Sequence, residues 1–298
     1  MCDDHTEADN ETFLERSRDL SRRGFATLAT GALATGALGG CASGQSGGAA
    51  ALAVVERDVD VTTPDGLADA YFVHPSRGRH PAVLMWPDIR GLRPAFRQMG
   101  KRLAESGYAV LVVNPFYRGA RGEVVNPGES YGDPAVRARL RPLAQALNAE
   151  TAATDARALL AFLDAQTAVD AARKAGTAGY CMGGPLVMRT AAAVPDRIGA
   201  VASFHGGGLA TDGPSSPHLL IPQMKASFLI AVAQNDDERG PAEKETLRAA
   251  FAANDLPAEI EVYPAQHGWC PPDSQVYDAV QAERAWSRML ALFAAALI

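Results

Sequence analysis

The sequence predicts an α/β fold with a mostly parallel central sheet of about eight strands, and three observations carry this. Beyond residue 50, short apolar runs alternate with longer helical patterns. Several of the runs are apolar throughout, as strands covered by helices on both faces are. One of them, Lys174–Gly179, passes into a helical stretch through a tight turn bounded by glycines. Strands are expected at Glu56–Val61, Ala68–Val73, Ala82–Trp86, Ala109–Val113, Lys174–Gly179, Ile198–Phe204, Ser227–Ala233 and Glu259–Tyr263. Helices are expected at Phe96–Glu105, Thr151–Gln166, Pro185–Val194, Pro241–Ala253 and Val276–Leu297. The last carries Ala282, Ala285, Trp286, Met289, Leu290 and Phe293 on one stripe, which fits packing on the sheet better than lying on a membrane. The stretch Gly119–Asn148, with Pro127, Pro134, Pro142 and several arginines, is too long for a plain connection and is expected to cover a pocket as a short cap.

The turn Gly179-Tyr180-Cys181-Met182-Gly183 has the pattern of a nucleophile elbow, which specifies the α/β-hydrolase fold. The glycines are needed because the turn is so tight that side chains two residues either side of the nucleophile would collide. Read blandly, Cys181 is a small buried hydrophobe after a strand. A cysteine nucleophile also needs a base, and the base an orienting carboxylate. Gln234-Asn235-Asp236-Asp237 follows the strand at Ser227–Ala233, and Gln266-His267-Gly268-Trp269 follows the strand at Glu259–Tyr263. Both lie beyond C-terminal strand ends, on the rim where the elbow emerges. Asp236 is the expected acid, with the adjacent Asp237 left as the other choice. The bland alternative makes Asp236 a helix cap and His267 a loop histidine.

Of the six histidines, His5 lies in the leader, His74 and His80 flank a turn, and His218 sits in a Pro/Ser/Gly loop. His205 follows the strand Ile198–Phe204 and is placed to line the pocket, but it precedes the acid in chain order. His267 is therefore the expected base.

These residues resemble the dienelactone hydrolase family from about Val55 to the C-terminus. The resemblance implies hydrolysis of small carboxylic esters or lactones by Cys181, His267 and Asp236. The backbone N–H groups of Met182 and Ile89 would then hold the oxyanion. Pro87-Asp88-Ile89-Arg90-Gly91-Leu92 is similar to the family's Glu-Ile-x-Gly-Leu segment. The resemblance implies that Asp88, one methylene shorter, contacts the thiol. Phe116-Tyr117-Arg118 resembles the position of a substrate-binding arginine, so Tyr117 and Arg118 are expected at the substrate, with Phe204, His205 and Trp269 around it. A second family arginine is missing, since Pro271 stands four residues past His267. That departure weakens the case for a small anionic lactone. A broader carboxylesterase or thioesterase is the alternative activity, and a non-catalytic envelope lipoprotein with a hydrolase fold the alternative class.

At 298 residues, with 47% hydrophobic and 21% charged residues, the chain fits one large α/β catalytic domain at 51–298. A net charge of −6 and a pI near 5.5, without a basic stripe, argue against nucleic acid. Residues 1–50 read as a flexible export leader. Ser21-Arg22-Arg23-Gly24-Phe25 matches a twin-arginine signature, Ala26–Leu38 is mildly apolar, and Leu38-Gly39-Gly40-Cys41 resembles a lipobox. Export to the periplasm or cell envelope is expected, with a possible lipid anchor at Cys41 as the membrane contact. A cytoplasmic protein with an Ala/Gly-rich extension is the alternative. Without the leader only Cys181 and Cys270 remain, too few for a disulfide framework. No zinc spacing, dinucleotide fingerprint or Walker segment occurs, so no metal or organic cofactor is expected. The expected partner is a small ester or lactone, and the expected state a monomer or weak dimer.

Overall fold

The computed structural model describes residues 6–16, 51–126 and 128–298. Its centre is one eight-stranded sheet in the order β1-β2-β4-β3-β5-β6-β7-β8. The strands are β1 (Val54–Thr63), β2 (Gly66–Pro75), β3 (Ala82–Trp86), β4 (Ala109–Val113), β5 (Ala175–Tyr180), β6 (Ile198–Phe204), β7 (Ser227–Ala233) and β8 (Ala258–Tyr263). β1 and β2 form an antiparallel hairpin, β2 runs antiparallel to β4, and every pairing from β4 through β8 is parallel. All eight expected strands are present, four with the expected bounds, β5 shifted by one residue and β1, β2 and β8 extended by one to four residues, and the α/β-hydrolase architecture follows.

The helices are α1 (6–16), α2 (Pro94–Glu105), α3 (Pro134–Ala146), α4 (Ala149–Asp164), α5 (Gly183–Ala193), α6 (Gln234–Arg239), α7 (Pro241–Ala253) and α8 (Ala279–Ala296). Period-2 geometry sends the buried strand residues to two cores. On one face Ala82, Leu84 and Trp86 meet Leu159, Leu160 and Leu163 of α4, Val187 and Met188 of α5, and Phe251 of α7. On the other, Val83 and Met85 meet Phe96 and Leu103 of α2 and Met289 and Phe293 of α8. The central strands are covered on both sides, which is why their runs carry no polar alternation.

Three helices escape the sequence pattern. The proline-rich stretch read as a cap holds α3, capped by the side chain of Asp133 and started by Pro134, where a missing N–H costs nothing. α6 is one short helix packed onto the end of β7. α1 corrects the expectation that residues 1–50 are uniformly flexible, because residues 6–16 form a helix seated on the catalytic domain, with Thr6 buried. The twin-arginine and lipobox motifs lie outside the described residues.

Phe293 ties α8 to β5, since a Cβ placed on Gly176 would sit 3.1 Å from its ring. Phe293 is fully buried, so Phe293→Ala is expected to cost about 3–5 kcal/mol of stability. Urea unfolding followed by tryptophan fluorescence measures it, and a loss under ~1 kcal/mol would mean that α8 is not anchored there.

Candidate active site

Parallel pairing brings the C-terminal ends of β3, β5, β6, β7 and β8 to one rim. Cys181 follows β5, and its N–H donates to the carbonyl of Phe204 at the end of β6. His205 N–H donates to Ala231 in β7, and Gln234 N–H to Ala265 beyond β8. Neighbouring strands thus lock the loops carrying the chemistry.

The elbow obeys the steric argument. Cys181 holds φ at +53°, a left-handed conformation that L-residues rarely adopt. A Cβ on Gly179 would lie 2.2 Å from the carbonyl oxygen of Gly183, and one on Gly183 would lie 2.5 Å from the carbonyl oxygen of Trp86. Neither position tolerates any side chain. The sulfur stands at the N-terminus of α5, whose partial positive charge favours a thiolate.

His267 is buried, and its Nδ1–H donates to Oδ2 of Asp236 at 2.6 Å. A second clamp comes from Asn235, whose Oδ1 accepts the backbone N–H of His267 at 2.8 Å. The imidazole also hydrogen-bonds Cys181, for which Nε2 is the nitrogen left. Burial by itself pushes this imidazole down, but the charges and hydrogen bonds of Cys181 and Asp236 outweigh it and lift it to about 10. The imidazole is therefore held in its protonated form at neutral pH. Asp237, the other carboxylate of the pair, turns away and binds Lys244 at 2.5 Å. Asp236 also meets Arg239 at 3.1 Å.

His205 is the second histidine at the sulfur. It is fully buried at φ +41°, packed edge-on to His267 and Trp269 with centroids 5.0 and 5.1 Å away. Burial dominates its titration and lowers its pKa, so the ring is neutral. Its nitrogens meet no partner at good hydrogen-bond geometry, although the ring interacts with the Cys181 sulfur. Neither Cys181 nor Cys270 is in a disulfide. Burial pushes the Cys270 thiol up, the opposite of what a nucleophile needs.

Cys181, His205 and His267 open into a cavity of about 470 Å³ that Ile89, Asp88 and Arg90 also line. The cap contributes Glu123–Asn126 and Gly128–Tyr131, as expected for a covering segment. Four sequence-derived placements are corrected. Tyr117 and Arg118 point to the α4 side of the sheet, where Tyr117 binds Thr63 and Asp155 and Arg118 pairs with Asp65 and Asp155 at 2.6 and 2.7 Å. Neither lines the cavity. Phe204 stacks on Tyr180, and Trp269 stacks on Tyr263 behind His205, so both support the wall rather than form it. Asp88 does reach the cavity, but Arg93 engages both its oxygens at 2.7 and 2.9 Å. Arg93 in turn holds Asp273 at 2.7 Å. The carboxylate that senses the charges of Cys181 and His267 is Glu7 of α1.

Arg90, Arg93, Asp273, Asn235, Glu7 and Asn10 are among the residues at the site that the sequence did not disclose. Arg93 had a faint signal, lying five residues past Asp88. Among the described residues no group of three or more His, Cys, Asp or Glu side chains is placed to hold a metal ion.

The comparisons place this fold among known proteins. The model of the dienelactone hydrolase family matches residues 68–297. A protein of Escherichia coli K12 provisionally named carboxymethylenebutenolidase is 29% identical over 235 residues, 75% of this chain and 81% of its own length. The carboxymethylenebutenolidase of Rhodococcus opacus is 28% identical over 187 residues, 62% of this chain and 68% of its own. In fold, a Klebsiella pneumoniae crystal structure provisionally named dienelactone hydrolase superposes with a TM-score of 0.70 at 24% identity, covering 81% of this chain and 99% of that one.

Two expectations test the assignment of charges. Asp236→Ala is expected to lower kcat by tens- to hundreds-fold, whereas Asp237→Ala changes it less than about threefold. Steady-state kinetics on one ester decide this, and the reverse pattern would exchange the two acids. Because His267 keeps its proton up to about pH 10, alkylation of Cys181 by iodoacetamide should stay fast through neutral pH. In His267→Ala the rate should instead rise with pH toward the free-thiol range near ~8.5. Superimposable profiles would rule out the charge pair.

Proposed function

The chain belongs to the dienelactone hydrolase family and is a carboxylic ester hydrolase, and from that premise we propose that it cleaves small neutral esters or lactones with Cys181 as nucleophile. The observation that carries this is the Asp236–His267–Cys181 relay, with its 2.6 Å carboxylate–imidazole bond, behind a strained elbow at φ +53°.

In this reading the Cys181 thiolate attacks the ester carbonyl carbon, and the carbonyl electron pair moves to oxygen. The backbone N–H groups of Met182 and Ile89 are the donors for that oxyanion, each worth about 10²–10³ in rate. Collapse of the intermediate breaks the C–O bond, and the leaving alkoxide takes the proton from His267. The neutral imidazole then removes a proton from water, hydroxide adds to the thioester, and Cys181 departs as thiolate while His267 regains its proton. Asp236 holds the imidazole in the orientation that both transfers need. His205 supports the reading as a neutral ring that fills the wall beside the sulfur without adding a competing charge.

The preference for neutral substrates rests on where the cations are. Arg118 is committed to Asp65 and Asp155, and Arg93 to Asp88 and Asp273. A substrate carboxylate would have to displace one of these partners. Losing one charge-assisted contact weakens binding by about ten- to a hundredfold. Neutral p-nitrophenyl esters and lactones are therefore expected to show kcat/KM at least equal to that of a matched anionic dienelactone, with the ratio unchanged in Arg118→Ala. A strong anion preference lost in that variant would overturn the argument.

Cys181→Ala is expected to keep the melting temperature within a few degrees while turnover disappears. Cys181→Ser should retain little activity, because the site is built around an ionised sulfur. Turnover near the original rate in Cys181→Ala would sink the mechanism.

A further inference from the structure

α1 is acidic, with Glu7, Asp9, Glu11 and Glu15 in residues 6–16. It sits on the rim of the cavity by one face. Thr6 is 1% exposed and accepts a hydrogen bond from Nη1 of Arg239 at 3.1 Å. Asp9 pairs with the same guanidinium at 3.4 Å. Asn10 donates from Nδ2 to the backbone carbonyl of His267 at 3.1 Å. Glu7 and Asn10 line the cavity that holds Cys181. Across the mouth, a Cβ on Gly132 of the cap would lie 3.5 Å from Oε2 of Glu7 and 3.7 Å from Oε1 of Glu11. Positions 6, 7, 9, 10 and 14 are the more buried ones, grouped on one side of the helix as a contacting face is.

The receiving surface complements this charge. Arg239 takes Asp9, while His267 and Arg137 act electrostatically on Glu7. The contacts fall on the residues that do the chemistry, since Arg239 also holds Asp236 and the carbonyl bound by Asn10 belongs to His267. A helix placed to cover an unrelated surface would have no reason to converge on these atoms.

We propose that the rim of this active site is a binding surface for an acidic helix, and that residues 6–16 of the same chain occupy it and limit access to Cys181. Residues 17–50 join α1 to β1 and carry the twin-arginine and Cys41 motifs. A cut before Cys41 would separate the cover from the catalytic domain, so export processing and exposure of the thiol become one event. The proposal rests on Cys181 being the reactive group of the site described above.

The test uses the full chain in three forms: unaltered, Thr6→Val/Asp9→Ala, and Thr12→Pro, which breaks the helix by another route. Alkylation of Cys181 by iodoacetamide, read by mass spectrometry of its peptide, reports access without requiring any substrate. Both variants are expected to react about fivefold faster or more, as a site released from a mostly closed state does. KM for p-nitrophenyl acetate should fall by a similar factor, with kcat within about twofold. Equal alkylation rates in all three forms would overturn the proposal. So would a loss of kcat in the variants at unchanged alkylation, because α1 would then be contributing catalytic groups instead of covering them. If no form cleaves any ester, the alkylation rates still decide whether the helix gates the thiol, so the two readings fail separately.

Discussion

The site depends on the turn at Cys181, where three backbone segments approach more closely than any side chain allows. Gly183 lies against the carbonyl of Trp86 at the end of β3, and Gly179 against the carbonyl of Gly183 itself. A third contact extends this outward, since a Cβ on Gly184 would fall 2.5 Å from Cα of Gly206 after β6. The glycines let α5 begin immediately above the sheet. That places its N-terminus under the sulfur and forces the left-handed φ of Cys181. Such a conformation costs about 1–3 kcal/mol and persists only where the surroundings over-determine it. Here the ladder bond from Cys181 to Phe204 and the parallel register of β3, β5 and β6 do so.

Given a fixed sulfur, electrostatics settles what it is. A buried thiolate is costly unless matched. A sulfur that ionised here would face an imidazole that is itself buried and lifted to about 10, held by Asp236. Moving the acid by one residue would break this, because Asp237 lies on the other side of the α6 turn and is occupied by Lys244. His205 shows the complementary case. It is as buried as His267 and close to the same sulfur, yet it has no carboxylate behind it, so burial wins and the ring is neutral. Two histidines at one thiol thus divide into a proton carrier and a neutral wall, and the presence or absence of one carboxylate makes the difference.

What the sequence disclosed follows from this hierarchy. The strands were legible because burial on both faces leaves uninterrupted apolar runs, and Cys181, Asp236 and His267 because each must follow a strand end in a set order. Tyr117 and Arg118 were misplaced because a residue just past β4 can turn to either side of the sheet. The deciding contact is Asp155, in the interior of α4, 37 residues beyond Arg118. The ion pair that Arg93 makes with Asp273, beside its pair with Asp88, joins segments 180 residues apart. No local pattern carries that. α1 was hidden for a different reason. Its face toward the protein is polar, with Thr6, Glu7 and Asn10, so hydrophobic periodicity gives no sign of docking.

The same charges bear on substrate choice. Arg93 and Arg90 face Asp88 and Asp273, two cations against two anions. His267 faces the Cys181 sulfur, and Asp236 faces Arg239. Every guanidinium named at the cavity therefore already has a carboxylate, and the field inside is close to balanced before any ligand enters. Glu7 adds a negative charge that burial makes expensive, raising its pKa, and the cation nearest in effect is His267. An anionic substrate must compete with Glu7 for that imidazolium while α1 is seated, and after α1 leaves Arg90, Arg93 and Arg239 still hold Asp273, Asp88 and Asp236. A neutral ester meets neither obstacle. It asks of the site only a nucleophile, a proton and two backbone donors, all of which the strand ends supply without spare charge.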